Sequence, residues 1–321
     1  MADKILTDEQ RQQLEADFTF KRGVELEFDP VRGKFDAAHL REVNRRIFQD
    51  FPGAGFNDVT PGEYRKPVAE GLDWMKQRGL STVDGPLYVA YSRMDDDAIA
   101  RIDTALAKAK PEDLRELKTP EFTARFGKLY AELDYVHPFS DGNSRTLRTF
   151  TAQLAREAGY DVDWERFNRS DVGRDLLYIA RDRSVNELAK PYVQHENTMR
   201  KLILTRDRLD GNRDLPDLLR DAIRPSRAVA FEQTKEKEAL SEYPELKEAY
   251  KTMHAAASYF AAKIPGDVKA QEQGIQTVMD HVQKRLNSGE TTDFTRERVD
   301  EKQQKKNPPP QQQRPESEHE R

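Results

Sequence analysis

Residues 122–159 read FTARFGKLYAELDYVHPFSDGNSRTLRTFTAQLAREAG. Phe122, Phe126, Leu129, Leu133 and Val136 recur at spacings of three and four, one face of a helix. The helix stops at His137-Pro138, because proline disfavours the α region for the residue before it. Apolar positions resume on one helical face at Leu147, Phe150 and Leu154, ending near Gly159. The stretch therefore reads as two core helices joined by the loop HPFSDGN, and loops fixed by rigid neighbours commonly carry catalytic groups.

Upstream, LSTVDGPLYVAYSRMDDD (residues 80–97) holds the best strand signal. Leu87, Tyr88, Val89 and Tyr91 are β-formers bounded by Asp84-Gly85-Pro86 and the acidic run Asp95 to Asp97, which predicts a short exposed hairpin or flap. The acidic run suits the positive end of the next helix. Downstream, Leu246, Tyr250, Met253, Ala257 and Phe260, then Ile275, Met279, Val282 and Leu286 beyond Pro265-Gly266, predict an antiparallel helical hairpin over 225–290. From 291 the chain offers almost nothing to bury and is expected to be disordered. Residues 1–29 read as a charged extension and 206–224 as a linker.

The 321 residues are enough for one large domain or two ordinary ones, and the lean hydrophobic fraction of 36% points to helices with exposed tails. A net charge of -5 with no basic stripe argues against direct nucleic-acid binding. No cysteine is present, which excludes disulfides, thiolate metal sites and a cysteine nucleophile. The start has no signal-like apolar run and nowhere do 18 apolar residues follow one another, so a cytoplasmic protein with no membrane span is expected, export as an effector staying open.

The loop also carries chemistry. His137 can shuttle a proton near neutral pH. Asp141 is a hard oxygen ligand of the kind Mg²⁺ takes when it also holds phosphates. Gly142 lets backbone approach an anion, and a helix starting near Asn143 aims unpaired N–H groups into the loop. Arg145 and Arg148 share a helical face and can fork onto phosphate oxygens. A base, a metal ligand, an anion nest and two arginines suit phosphoryl or nucleotidyl transfer. His39, His195, His254 and His281 lack metal-ligand spacing and read as surface or interface residues. Trp74 and Trp164 read as packing anchors.

HPFSDGNSRTLR (137–148) resembles the Fic-family motif H-x-F-x-[DE]-G-N-G-R-x-x-R, complete except that Ser144 stands at a usual glycine. GKFDAAHLREVNRRIF (33–48) is similar to the family's entry helix, and PGEYR (61–65) to its AGE-[FIY]-R segment. The resemblance covers about residues 30–205 and implies an all-α fold with one small β-hairpin flap, followed here by the helical hairpin and tail. It implies that His137 is the general base for transfer of AMP from ATP to a Ser, Thr or Tyr hydroxyl of a target protein. Phe139 would anchor the loop and Asp141 would hold Mg²⁺. Gly142, Asn143 and Ser144 would line the phosphates, with Arg145 and Arg148 on the β- and γ-phosphates. The flap residues Gly85, Pro86, Leu87, Tyr88, Val89 and Tyr91 would dock the target by strand addition.

Ser144 adds a hydroxyl that can donate to phosphate or crowd it, so a phosphotransferase or other nucleotidyl transfer is the second enzyme reading. A non-catalytic scaffold is the reading from another class. The family's inhibitory pattern [ST]-x-x-x-E-[GN] is met only incompletely, at Thr234 to Glu238 and Ser241 to Glu245. The resemblance therefore implies an inhibitory antitoxin in trans, if any, and a toxin or effector role. YPELKEAYKTMHAAASYF (243–260) is similar to a small helical module of plasmid toxins and conjugative relaxases.

Overall fold

The computed structural model describes residues 7–56 and 58–290. The expectation of a disordered tail falls on residues 291–321, outside the described residues. The chain divides into a larger unit, through Ser226, and a smaller one, from Arg227.

The larger unit opens with α1 (Asp8–Phe28), where sequence reading expected only a charged extension. Its start is a capping box: Thr7 accepts from the Gln10 N–H while the Gln10 side chain accepts from the Thr7 N–H. Arg22 holds it down with a two-pronged bond to Asp50, 2.7 Å on each arm, just past α2 (Ala37–Phe48). A β-hairpin follows, β1 (Trp74–Leu80) against β2 (Val83–Tyr91), antiparallel. Then come α3 (Asp96–Ala107), capped by Asp95 as the acidic run foretold, and the short α4 (Pro111–Arg115).

Helix α5 (Thr119–Val136) and α6 (Asn143–Glu157) are the two core helices predicted around the loop. Phe122, Phe126, Leu133, Val136, Leu147, Phe150 and Leu154 are fully buried. β3 (Tyr160–Val162), α7 (Asp171–Ala189), α8 (Glu196–Arg208), α9 (Leu215–Leu219) and β4 (Ile223–Pro225) complete the unit. β3 and β4 form a second antiparallel pair, absent from the sequence reading because three residues carry no periodicity.

The expected linker over 206–224 is corrected here. Leu209, Leu215 and Leu219 are fully buried, and the segment ends as a sheet strand. Leu215, Leu218, Leu219, Ala222 and Ile223 recur at the helical spacing of three and four, a short signal passed over among Asp and Arg, and each is buried.

In the smaller unit, α12 (Lys247–Lys263) and α13 (Val268–Asn287) form the predicted hairpin around a left-handed Gly266. Two shorter helices precede it, α10 (Ser226–Gln233) and α11 (Glu236–Glu242). Phe231, Ala239, Leu246, Val282 and Leu286 make a core of their own. Among the described residues no helix is long and apolar enough to cross a membrane.

Candidate active site

The loop between α5 and α6 is set by its own residues. His137 turns left-handed (φ 50°, ψ 60°) while its N–H still donates to Leu133 O at 3.1 Å, which ends α5 ahead of Pro138. Phe139 is buried beside Tyr64, the anchoring role expected of it. The Asn143 side chain clasps the Phe139 backbone, accepting from its N–H at 2.9 Å and donating to its carbonyl at 2.7 Å. That side chain is thereby spent inside the loop, and only the Asn143 backbone remains for an anion. Gly142 is required twice over: its φ is +68°, and a Cβ there would lie 1.8 Å from the Phe48 ring.

Residues 61–65 brace this loop from outside. The Arg65 N–H donates to Pro138 O at 2.8 Å. Its guanidinium donates to His137 O at 2.8 Å and Ser92 O at 2.6 Å, and stacks on Trp74 at 3.8 Å. Burial lowers the Arg65 pKa to about 10, so it stays charged at neutral pH.

His137 is buried under Tyr91, with ring centroids 4.0 Å apart, and Trp74 meets it edge-on at 5.4 Å. Burial, with Lys76 and Arg181 adding to it and Asp134 opposing, lowers its pKa to about 4. At neutral pH the imidazole is a neutral base. Nε2 lies 3.1 Å from the Lys76 ammonium on β1, and Nδ1 lies 3.7 Å from a carboxylate oxygen of Asp134. Asp134 is fully buried and clamped by Arg181 of α7 at 2.9 and 3.0 Å. Burial alone would raise the Asp134 pKa, but Arg181 and His137 hold it well below the carboxylate range.

On the anion side, Asp141 is exposed and accepts from the Gly142 N–H at 2.6 Å. Among the described residues no group of three or more His, Cys, Asp or Glu converges as a metal site. One open carboxylate fits a Mg²⁺ that completes its shell with substrate phosphates and water. The first N–H groups of α6 have no intrahelical partners, and its dipole favours an anion there. The Ser144 hydroxyl accepts from Arg148 and from Arg181, each at 3.2 Å. Arg148 also reaches Asn168 at 3.3 Å. Arg145 is held by α1, pairing with Glu15 and donating to Thr19 Oγ1 at 3.1 Å.

The flap corrects one expectation. Gly85 and Pro86 are exposed at the head of β2, but Leu87, Val89 and Tyr91 are buried, and the outer edge of β2 is closed. Tyr88 donates to Thr205 Oγ1 at 2.9 Å and accepts from Asn186 at 2.9 Å, and the Ala90 N–H donates to Asn186 at 3.0 Å. A strand cannot add where side chains already satisfy the ladder. Gln77 and Met75 lie opposite Tyr88 and Ala90, so in antiparallel geometry their N–H and C=O groups point away from β2. Among the described residues the free edge is that of β1.

Sequence reading missed Asp134, Arg181, Lys76, Glu15 and the bracing by Arg65. It also misplaced His39, which is buried between the Phe35 N–H and Gln153. His254 and His281 are exposed, as expected.

Residues 34–155 match the Fic/DOC family. The chain is 32% identical over 165 residues to the protein adenylyltransferase VbhT of Bartonella schoenbuchensis, covering 51% of this chain and 30% of that protein. It is 26% identical over 170 residues to the probable protein adenylyltransferase Fic of Escherichia coli strain K12, covering 49% of this chain and 68% of that protein. The chain thus spans under a third of the length of VbhT. A solved Fic domain of a VirB-translocated Bep effector from Bartonella quintana, with bound ADP, is 22% identical, covering 70% of this chain and 90% of that one, with a TM-score of 0.43.

Proposed function

We propose that this chain, which carries a Fic/DOC-family domain over residues 34–155, transfers AMP from Mg²⁺-ATP to a Ser, Thr or Tyr hydroxyl of a target protein. The observation that carries the reading is a neutral, buried imidazole at His137, six residues ahead of an open helix N-terminus and flanked by a strand with a free edge. Curated relatives named as protein adenylyltransferases support it.

The target segment adds to the outer edge of β1, hydrogen-bonded to the Met75 and Gln77 backbone. A hydroxyl residue opposite Lys76 then turns its side chain toward His137, because directly opposed residues of antiparallel strands share a face. The hydroxyl proton passes to His137 Nε2 and the oxygen bonds to the α-phosphorus. The bond from that phosphorus to the bridging oxygen breaks, and pyrophosphate leaves. The α6 N–H groups, Arg145 and Arg148 hold the phosphates, for which Arg145 must exchange Glu15 for phosphate oxygen. Mg²⁺, held through Asp141, neutralises phosphate charge when bound.

The test is incubation with cell lysate, Mg²⁺ and ATP labelled at the α- or the γ-phosphate, beside His137→Ala. Label from the α-phosphate on a protein, lost in the variant, is expected. Label from the γ-phosphate alone would replace AMP transfer by phosphorylation, and no transfer together with no tight ATP binding would favour a scaffold. A toxin or effector role predicts that expression slows cell growth and that His137→Ala relieves it.

A further inference from the structure

We propose that Asp134 is the positioning acid of His137, fixing the proton on Nδ1 so that Nε2 keeps its lone pair toward the flap. The inference rests on the reading of His137 as the base. A neutral imidazole has one N–H and one lone pair, so its two neighbours decide which nitrogen carries which. At Nδ1 the nearest carboxylate is Asp134, 3.7 Å away, an acceptor only. At Nε2 the neighbour is the Lys76 ammonium at 3.1 Å, a donor only. Both ask for the same tautomer. Nδ1 is buried with no partner inside hydrogen-bonding distance, so its proton has Asp134 as the acceptor a small ring rotation away.

The geometry is built to hold. Asp134 sits one helical turn before His137, and the left-handed turn at His137 brings the ring back over that turn. Arg181 binds both Asp134 oxygens and, with its remaining arm, the Ser144 hydroxyl at 3.2 Å. Asp134 therefore cannot swing away, and the base is tied to the first turn of α6 where the phosphates would lie. When Nε2 takes the proton of the target hydroxyl, the buried Asp134 charge faces the imidazolium that forms.

The experiment uses the full chain with ¹⁵N-labelled histidine at neutral pH, the His137 signals assigned by their absence from His137→Gln. The Nδ1–H tautomer is expected, and an Nε2–H ring overturns the proposal whether or not the protein transfers AMP. In parallel, Asp134→Asn should lower kcat for transfer about 10- to 100-fold with KM for ATP within about twofold, as partners that orient a reactive histidine do. A folded Asp134→Asn protein with undiminished kcat also overturns it. Should that variant fail to fold because Arg181 loses its partner, the wild-type tautomer decides alone. A chain that transfers no AMP yet shows the Nδ1–H ring would lose the function and keep the dyad.

Discussion

The two strands of the flap have opposite fates. β2 lies against α7 and α8, and its outward backbone groups are satisfied by Asn186 and Thr205. Among the described residues, β1 has β2 on one side and no strand on the other. At the hairpin tip, Asp175 of α7 accepts from the Ser81 hydroxyl at 2.7 Å and the Thr82 N–H at 3.0 Å. On its inner face, Arg78 pairs with the buried Asp182 at 2.5 Å. These contacts tie the hairpin to α7. Its anchored strand fixes the position of the open one, so that any added strand would arrive at a set distance from His137.

Breaking the anchored side should give the largest effect. Asn186→Ala leaves the Ala90 N–H and the Tyr88 carbonyl without their shared partner in a buried setting, at a cost of about 3 kcal/mol. Urea unfolding measures it, and a change below about 0.5 kcal/mol would mean that water replaces the side chain without loss. Breaking the open side should leave stability nearly intact and act on the partner. Gln77→Pro removes an edge N–H from an exposed residue, so transfer to a protein target should fall about tenfold with ATP affinity unchanged. Equal target labelling by this variant would move docking away from β1.

The same contrast explains what was legible in the sequence. The α5–loop–α6 unit could be read because its signals are local: apolar spacing of three and four, a proline stop, and His137, Asp141, Arg145 and Arg148 within a short span. Asp134 lies in that span too, but a carboxylate on an apolar helix shows its role only once Arg181, 47 residues on, is known to cover it. Lys76 meets His137 only through a hairpin whose first strand, WMKQRGL, lacks an alternating pattern. The anchored edge of β2 depends on Asn186 and Thr205, polar residues of helices that no strand rule inspects. α1 was missed because its larger apolar residues, Leu14, Phe18, Phe20, Val24, Leu26 and Phe28, mix spacings of four and two and trace no single helical face. Its function in the site comes from Glu15, a residue type too common in this chain to stand out.

An anchored and an open member recur in the arginine pair. Arg145 is tied to Glu15 and Thr19, whereas Arg148 is tied to Ser144 and Asn168 by longer contacts. On the proposed reading, phosphate would have to displace a carboxylate from Arg145 but only neutral oxygens from Arg148. Because the Glu15–Arg145 pair is partly exposed, its strength is modest, and Glu15→Ala should tighten nucleotide binding only about threefold, near 0.7 kcal/mol. Calorimetric titration with ATP checks this. Weaker binding would show that Glu15 aims Arg145 rather than competing for it.

The smallest effect should be that of pH across the neutral range. An unburied histidine titrates near 6.5, and a base of that pKa would lose activity as pH falls through that value. His137 is different because burial beneath Tyr91 and Trp74 opposes its charge, Lys76 and Arg181 add to that opposition, and Asp134 resists it only in part. With the pKa lowered to about 4, the ring is unprotonated throughout the neutral range. Transfer measured under saturating ATP should therefore vary by less than about twofold between roughly pH 5.5 and 8, falling only as pH drops toward the lowered value. Lys76→Met removes one of the two cations that oppose protonation, so the acid limb should move upward while remaining below that of a free histidine. A limb near 6.5 in the unaltered protein would mean that the ring is solvated whenever it works. The anchored hairpin would then have to open during turnover, and the contrast between its two strands would hold only at rest.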